Sequence, residues 1–461
     1  MIADETYDVV GVGFGPANLA LAIALREEAE KSDRSVSALF IESKPEFSWH
    51  EGMILPGTTL QVSFLKDLAT LRDPQTWFSY LNYLRIAGRL DDFVNLRTFY
   101  PSRQEYAGYL RWAASHFPDE VCYGYRVTAI EPAEPDDDGT IRKIDIVATP
   151  VATELGSEPL RVSARAIVLG TGGTPAIPDA FQGADRDRVF HSSSYGDLMS
   201  ARFTSSDAPL RVLVVGGGQS AAEIFCDLYA RYPNARVYNA LRDYGYRPGD
   251  SSEFSNRIFH PDAVDFIYGL TDTARERLLA GYRNTNYSVV TTTLIQRIYR
   301  LLYEERVTGN GRAKLLPMHE VVSVRDGDGA VVVELREAAG MSRKLEVDAV
   351  VLATGYERRS GISLLSNLAG HLIERPAGGY EMDPDYSACT RAGFEAGIFL
   401  QGLAEDRFGL SETLLSVAGP RAATITEALL HRADRSRQAG PLAQPRFERH
   451  AAAALPTPVP D

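Results

Sequence analysis

Cysteine is scarce: Cys122, Cys226 and Cys389 are the only three in 461 residues, far apart and in no metal-ligand spacing. An odd, scattered set excludes a disulfide framework and a Cys-based zinc site, and fits free thiols in a reducing compartment. Long hydrophobic runs are missing as well. No apolar stretch approaches the roughly 20 residues that a bilayer span needs, and the acidic start Met1–Thr6 lacks the basic and apolar regions of a secretory signal. The expected location is cytoplasmic, with no membrane partner. Basic excess is absent too: 48 Lys and Arg stand against 61 Asp and Glu, a net charge of −13 with no basic block, so no nucleic-acid partner is expected. What remains is an ordinary globular composition, 44% hydrophobic and 24% charged, on a chain long enough for two or three domains.

Apolar periodicity divides the chain into α/β units. Tyr7–Gly11 is a short β-rich run ending at glycine, Asn18–Ala29 carries helical spacing, and Val36–Ile41 is a second β-like run. The same order recurs at Leu210–Val215, Gly218–Arg231 and Ala235–Ala240. Further strands are expected at Arg165–Leu169, Ala330–Leu335 and Ala349–Ala353, and helices at Gln75–Ala87, Arg103–Phe117, Thr273–Arg283 and Ser411–His431. Thr204–Pro209 reads as a crossing between domains, and the Ala-, Pro- and Arg-rich end beyond Arg432 as a disordered tail.

Each β-α-β unit opens with a glycine fingerprint. In the first, Gly11-Val12-Gly13-Phe14-Gly15-Pro16-Ala17-Asn18, Gly11 is expected to make the tight turn and Gly13 to let a pyrophosphate approach the backbone. Pro16 suits a first helical turn, where its missing N–H goes unused. Glu42 ends the following strand, and an acid there accepts ribose hydroxyls but repels a 2′-phosphate, which favours FAD or NAD over NADP. The second fingerprint is Gly216-Gly217-Gly218-Gln219-Ser220-Ala221-Ala222-Glu223. Its second strand leads instead to Arg242, whose guanidinium can pair with a 2′-phosphate, so NADPH is the natural guest. Two related runs, Ile167–Gly173 and Ala349–Tyr356, flank this unit; in the second, Thr354 and Gly355 allow the backbone to pass close to a dinucleotide. Their placement predicts an NADPH domain inserted into an FAD domain.

With the fingerprints, four further motifs resemble those of the flavin-dependent N-hydroxylating monooxygenases, the L-ornithine and L-lysine N-monooxygenases of siderophore biosynthesis. They are Ser48-Trp49-His50-x-Gly52-Met53, Gln61-Val62-Ser63-Phe64-Leu65-Lys66-Asp67-Leu68, Asn284-Thr285-Asn286-Tyr287-Ser288 and Leu414-Leu415-Ser416. Flavin disulfide reductases would need a redox Cys pair, and the chain has none. The resemblance implies an FAD domain from 1–206 and 347–435, an NADPH domain from 207–346 with a helical substrate-covering segment at 250–310, and a tail at 436–461. It implies N-hydroxylation of the L-ornithine side-chain amine with O₂ through a C4a-hydroperoxyflavin, and a tetrameric assembly. The same chemistry on L-lysine or a diamine, or a flavin- and NADPH-binding protein without turnover, are the alternatives.

By that resemblance Lys66 and Asn256, the latter within Phe254-Ser255-Asn256-Arg257-Ile258-Phe259, hold the amino acid. Asn286 lies between the substrate and NADP⁺, Gln61 beside the reactive flavin edge, and Ser416 borders the substrate. Trp49 and His50 flank the flavin rim. Lys66 could instead pair simply with Asp67. Three departures fall near the expected substrate mouth: Asp250-Ser251-Ser252-Glu253-Phe254 before the asparagine, Arg257 after it where an acid is common, and Asp406-Arg407-Phe408-Gly409 where Thr-His-Gly is common.

Overall fold

The computed structural model describes residues 6–32, 34–152, 158–376 and 378–438. A seven-stranded sheet takes the order Val121–Tyr123, Ala38–Glu42, Thr6–Val12, Leu160–Leu169, Ile144–Pro150, Tyr125–Pro132, and Gly397–Leu400 also pairs with Leu160–Leu169. Thr6–Val12 is parallel to both neighbours, with Val10 opposite Leu39 on one side and Ile167 on the other. Leu160–Leu169 has two partners along its other edge: Ser163 opposes Asp145 in antiparallel pairing, and further on Ile167 opposes Ile398 in parallel. Its last four residues are all buried, as a strand covered on both faces requires. Helix Pro16–Lys31 follows the first strand with Gly15 as its cap, and it packs along the C-terminal helix Ala418–Gln438.

The second sheet has five strands in the order Ala313–Leu316, Arg236–Ala240, Arg211–Val215, Ala349–Leu352, Val189–His191, all parallel. This corrects the expected boundaries. Val189–His191 and Ala349–Leu352 lie outside 207–346 yet flank one another in this sheet, so the second unit is wider than its sequence limits. The crossing is not at Thr204–Pro209, which connects helix Tyr195–Arg202 to strand Arg211–Val215 inside the second unit. It lies where Thr174–Pro175 pairs antiparallel with Tyr356–Glu357. A three-stranded antiparallel sheet, His319–Asp326, Val331–Glu337 and Ser342–Val347, closes the unit.

Within 250–310 the helices are Pro261–Tyr268, Asp272–Tyr282 and Thr292–Thr308, preceded by a 3-10 turn at Ser255–Phe259. Helix Ala418–Gln438 extends beyond the expected helical limit at His431, and the expected tail from 439 onward lies outside the described residues. Among the described residues no helix is long and apolar enough to cross a membrane.

The two units interpenetrate just after the Ser48–Met53 motif. Met53 and Leu55, from the segment after the Ser48–Met53 motif, are buried in the second unit's core with Tyr195, Val212 and Ile224. Gly52 makes this possible, because a Cβ there would overlap the Ser193 carbonyl.

Candidate active site

The first fingerprint is shifted by one glycine from its sequence reading. Gly11 has no left-handed backbone; a side chain there would overlap the Phe40 ring, so this glycine serves close strand packing. Gly13 makes the turn, with φ of +85°, and a Cβ on it would sit 2.8 Å from the Gly170 carbonyl oxygen. Gly15 faces open space and caps Pro16–Lys31 without a side-chain hydrogen bond, so the helix's first N–H groups are free to receive an anion. Asn18 supports the turn from beneath: its Nδ2 donates to the carbonyls of Gly13 at 2.6 Å and Val12 at 3.3 Å. Glu42 reaches back to the fingerprint, accepting from Phe14 N at 2.7 Å and Lys44 N at 2.9 Å. Its Oε1 also accepts from the Ser43 hydroxyl at 3.2 Å, so Oε2 is the oxygen that keeps a further lone pair for a ribose hydroxyl.

In the second fingerprint Gly216, with φ of +142°, passes so close to Ala353 that a Cβ would overlap its carbonyl. Gly218 caps helix Gln219–Arg231, again without a side-chain cap. Gln219 is committed within the protein: its Nε2 donates to Glu223 at 2.7 Å and its Oε1 accepts from Thr291 N at 2.9 Å. Ser220 follows in the first helical turn. Arg242 is exposed beyond the adjacent strand. Thr354 and Gly355 bind the crossing: Thr354 Oγ1 donates to the Ala176 carbonyl at 2.5 Å, and the Gly355 carbonyl accepts from Ala176 N at 3.0 Å and His191 Nε2 at 2.9 Å. Their hydrogen bonds thus serve the join between units.

Between the fingerprints four loops converge. Gly218 faces Ser288, whose Cα would be 3.7 Å from an added Cβ. Next to Ser288, the Tyr287 hydroxyl donates to Glu405. Burial pushes that hydroxyl up to about 12 and raises the Glu405 carboxyl as well. The Asn284–Ser288 loop therefore spans from the NADPH-type fingerprint to the segment before Leu410. Leu410 packs with Ile258 and Ile267, which brings in the turn that bears Asn256. Gly419, just past Ser416, abuts Leu68 and Ala69, where a Cβ would be 3.1 Å from the Leu68 carbonyl oxygen, so the Lys66 loop adjoins the Ser416 run.

The side chains at this junction are sparsely engaged. Asp67 is saturated by the N–H groups of Ala69, Thr70 and Tyr80 and by the Thr70 hydroxyl, at 2.6–3.0 Å, and does not pair with Lys66. Lys66 is half-buried, and desolvation lowers its pKa. Asn256 donates to the Ser251 carbonyl at 3.0 Å, which leaves its oxygen free. Gln61 is exposed and Asn286 half-buried. Ser411 and Ser416 have buried hydroxyls without a partner, as has Glu412 Oε2.

His50 is exposed, in left-handed backbone (φ +48°), its ring edge-on to Trp49 and Tyr356. The surrounding protein, with Arg103, Lys44 and Arg358, lowers its imidazole to about 4. It is neutral at ordinary pH.

Sequence reasoning missed Arg103, Gln401, Arg421 and Glu405, and it placed Glu223 in the second fingerprint without giving it a role. Charge within the Gln219–Glu223 fingerprint was the available signal for Glu223; the others act through distant partners and left no local pattern.

The profile described as L-lysine 6-monooxygenase/L-ornithine 5-monooxygenase matches residues 5–358. An L-ornithine N(5)-monooxygenase of Burkholderia cepacia is 43% identical over 412 residues, covering 89% of this chain and 91% of that protein. The ornithine hydroxylase PvdA of Pseudomonas aeruginosa superposes with a TM-score of 0.86 at 39% identity, covering 93% of this chain and all of that one. The ornithine N-hydroxylase KtzI of Kutzneria, solved with reduced FAD, NADP⁺ and L-ornithine, gives 0.87 at 38% identity over 93% of this chain and 100% of its own. The converging loops between two dinucleotide-type folds and these full-length likenesses have one reading: the chain belongs to the L-lysine 6-monooxygenase/L-ornithine 5-monooxygenase family.

Proposed function

We propose that the chain is an FAD- and NADPH-dependent monooxygenase acting on L-ornithine. It converts the side-chain amine, O₂, NADPH and a proton into the N5-hydroxylamine, NADP⁺ and water. The observation that carries this reading is the Asn284–Ser288 loop, placed against the second fingerprint at Ser288 and against Glu405 at Tyr287, in a chain similar along most of its length to ornithine hydroxylases.

The residues present fit both dinucleotides. Gly13, Gly15 and Pro16 shape the turn and free helix end for the FAD pyrophosphate, Gly11 packs the strand beneath it, and Glu42 meets its ribose. Trp49, His50 and Gln61 flank the ring system. Gly216, Gly218, Gln219 and Ser220 form the NADPH pyrophosphate end, Arg242 takes the 2′-phosphate, and Thr354 and Gly355 fix the crossing beside it. When bound and reduced, FAD supplies the activation of O₂ and transfer of one oxygen atom to nitrogen.

Lys66 and the free oxygen of Asn256 hold the α-carboxylate and α-amine, and Asn286 and Ser416 border the side chain. The reacting nitrogen must be unprotonated, whereas a free alkylamine has a pKa near ~10.4. The desolvation that lowers Lys66 favours the neutral form of a neighbouring amine too. His50, neutral at working pH, adds no positive charge and donates no strongly acidic proton there. Free Cys122, Cys226 and Cys389 suit the reducing cytoplasm in which such an enzyme would work, and a homo-tetramer is the assembly proposed.

The test is hydroxylamine formation by FAD-loaded protein with NADPH and O₂, comparing L-ornithine, L-lysine, putrescine and cadaverine. Product with ornithine supports the reading. Product with diamines alone would overturn the substrate, and NADPH oxidation yielding only peroxide with every amine would overturn hydroxylation of these amines.

A further inference from the structure

One carboxylate ties together three segments that the reaction needs. Glu223 lies one turn into the helix that the second fingerprint opens, and its side chain is only 5% exposed. Arg103, from the first unit, grips it fork to fork: Nη1 to Oε2 at 2.7 Å and Nη2 to Oε1 at 2.9 Å. The same Nη1 donates to the Met53 carbonyl at 3.3 Å, on the segment that plugs the second unit's core. The Arg103 backbone N–H is itself held by the Thr58 carbonyl at 3.1 Å. From the other side Gln219 Nε2 donates to Glu223 Oε1 at 2.7 Å while Gln219 Oε1 accepts from Thr291 N at 2.9 Å. Thr291 caps helix Thr292–Thr308 and ends the run that begins at Asn284–Ser288.

We infer that Arg103 and Glu223 are positioning residues, a clamp that sets the NADPH-binding helix against both the first unit and the Asn286 loop. A buried ion pair is rarely the most stabilising filling for its space; apolar residues of equal volume often do better, so its value here is geometric. The charge also has a local reason. An unpaired carboxylate one turn from a phosphate-binding helix end would repel the phosphates, and Arg103 cancels it. The clamp engages only when the two units are docked, so it couples the place of bound NADP⁺ to the place of Asn286.

This inference rests on the NADPH reading, and its test separates the two. Full-length FAD-loaded protein is compared with Glu223→Gln, Arg103→Met and the double variant. The readouts are NADP⁺ affinity by titration of the flavin spectrum, the share of NADPH electrons recovered as peroxide with ornithine present, and FAD content. Glu223→Gln should weaken NADP⁺ by about tenfold and raise the peroxide share, with FAD content unchanged. The double variant should lose less than the two single losses combined, because the pair acts as a unit. Wild-type affinity and coupling in Glu223→Gln, or fully additive losses, would overturn the clamp alone. If a single variant does not fold, the double variant decides, and unchanged NADP⁺ affinity in it overturns the clamp. Failure of the wild type to bind NADP⁺ would overturn the cofactor reading and the clamp's purpose with it.

Discussion

Asn18 and Gln401 meet in the core across 383 positions of sequence: Gln401 Nε2 donates to Asn18 Oδ1 at 2.8 Å, and both side chains are buried. Gln401 Oε1 accepts from Arg421 Nε at 3.1 Å, and Arg421 Nη1 donates to the Glu412 backbone carbonyl. Glu412 in turn accepts from Gly402 N at 2.5 Å. The turn that would cradle one end of FAD is therefore joined, through an all-buried polar chain, to the run that carries Glu412 and Ser416.

Gln401→Leu should loosen both ends at once. It strands the Asn18 carbonyl oxygen and the Arg421 Nε–H, each costing about 1–3 kcal/mol when buried without a partner. Thermal unfolding should shift down accordingly, and purified protein should carry less FAD. Full flavin content with a wild-type melting temperature would show that the network is dispensable.

Lys66→Ala should raise the ornithine KM on the order of 10- to 100-fold, the worth of a charge-assisted hydrogen bond to a carboxylate. NADPH oxidation should persist, because Asp67, the structural acid of this loop, is satisfied without Lys66. Steady-state kinetics read both quantities. An unchanged KM would remove Lys66 from the substrate site.

Much of this was legible locally. Strand, glycine turn and helix follow one another within both β-α-β units, with a terminal acid in the first, and hydrophobic periodicity reports them. The glycine roles were misassigned because sequence shows spacing, not φ; Gly11 yields to Phe40 and Gly13 takes the turn. The unit boundary was misplaced because a short apolar strand such as Ala349–Leu352 carries no mark of which sheet it joins. Its neighbours, Arg211–Val215 and Val189–His191, are fixed by tertiary register. Gln401 and Arg421 were invisible for the same reason, since buried polar partners need not be near in sequence.

Arg242→Ala should reduce the preference for NADPH over NADH by about tenfold or more, since Arg242 is exposed beside the second fingerprint and is offered only for the 2′-phosphate. The ratio of kcat/KM for the two nucleotides measures it. FAD content should not change, and an unaltered ratio would assign the phosphate to another cation.

The His50 imidazole is held at about 4, below its ordinary 6.5, by the protein around it and by Arg103, Lys44 and Arg358. Between those values the unfolded chain binds a proton that the folded chain refuses. The His50 contribution to stability is thus complete above about pH 6.5 and is lost as the pH falls toward about 4. Urea midpoints taken near about pH 7.5 and about pH 5 should fall less in His50→Gln than in wild type. Equal falls in the two proteins would place the acid sensitivity elsewhere.

Gly52 and Gly281 give opposite expectations for the same substitution. A methyl at Gly52 meets the Ser193 carbonyl, with the Ser193 carbonyl carbon 2.6 Å away and Ser194 N at 3.0 Å; these are backbone atoms that no rotamer change can remove. Gly52→Ala must push the Met53 plug out of the second unit or displace the Val189–Ser194 segment. That should cost about 1–3 kcal/mol as overpacking. NADPH-dependent turnover should fall with it, because the displaced joint also carries the Arg103 contact to Met53. Gly281 sits in helix Asp272–Tyr282 with nothing within 4 Å of an added Cβ and no left-handed backbone. Gly281→Ala should stabilise by about 0.5–1 kcal/mol through the helix preference of alanine, and leave turnover intact. Denaturant unfolding of the two variants side by side checks the pair. Equal, small effects would show that the junction at Gly52 relaxes freely and does not fix how the two units dock.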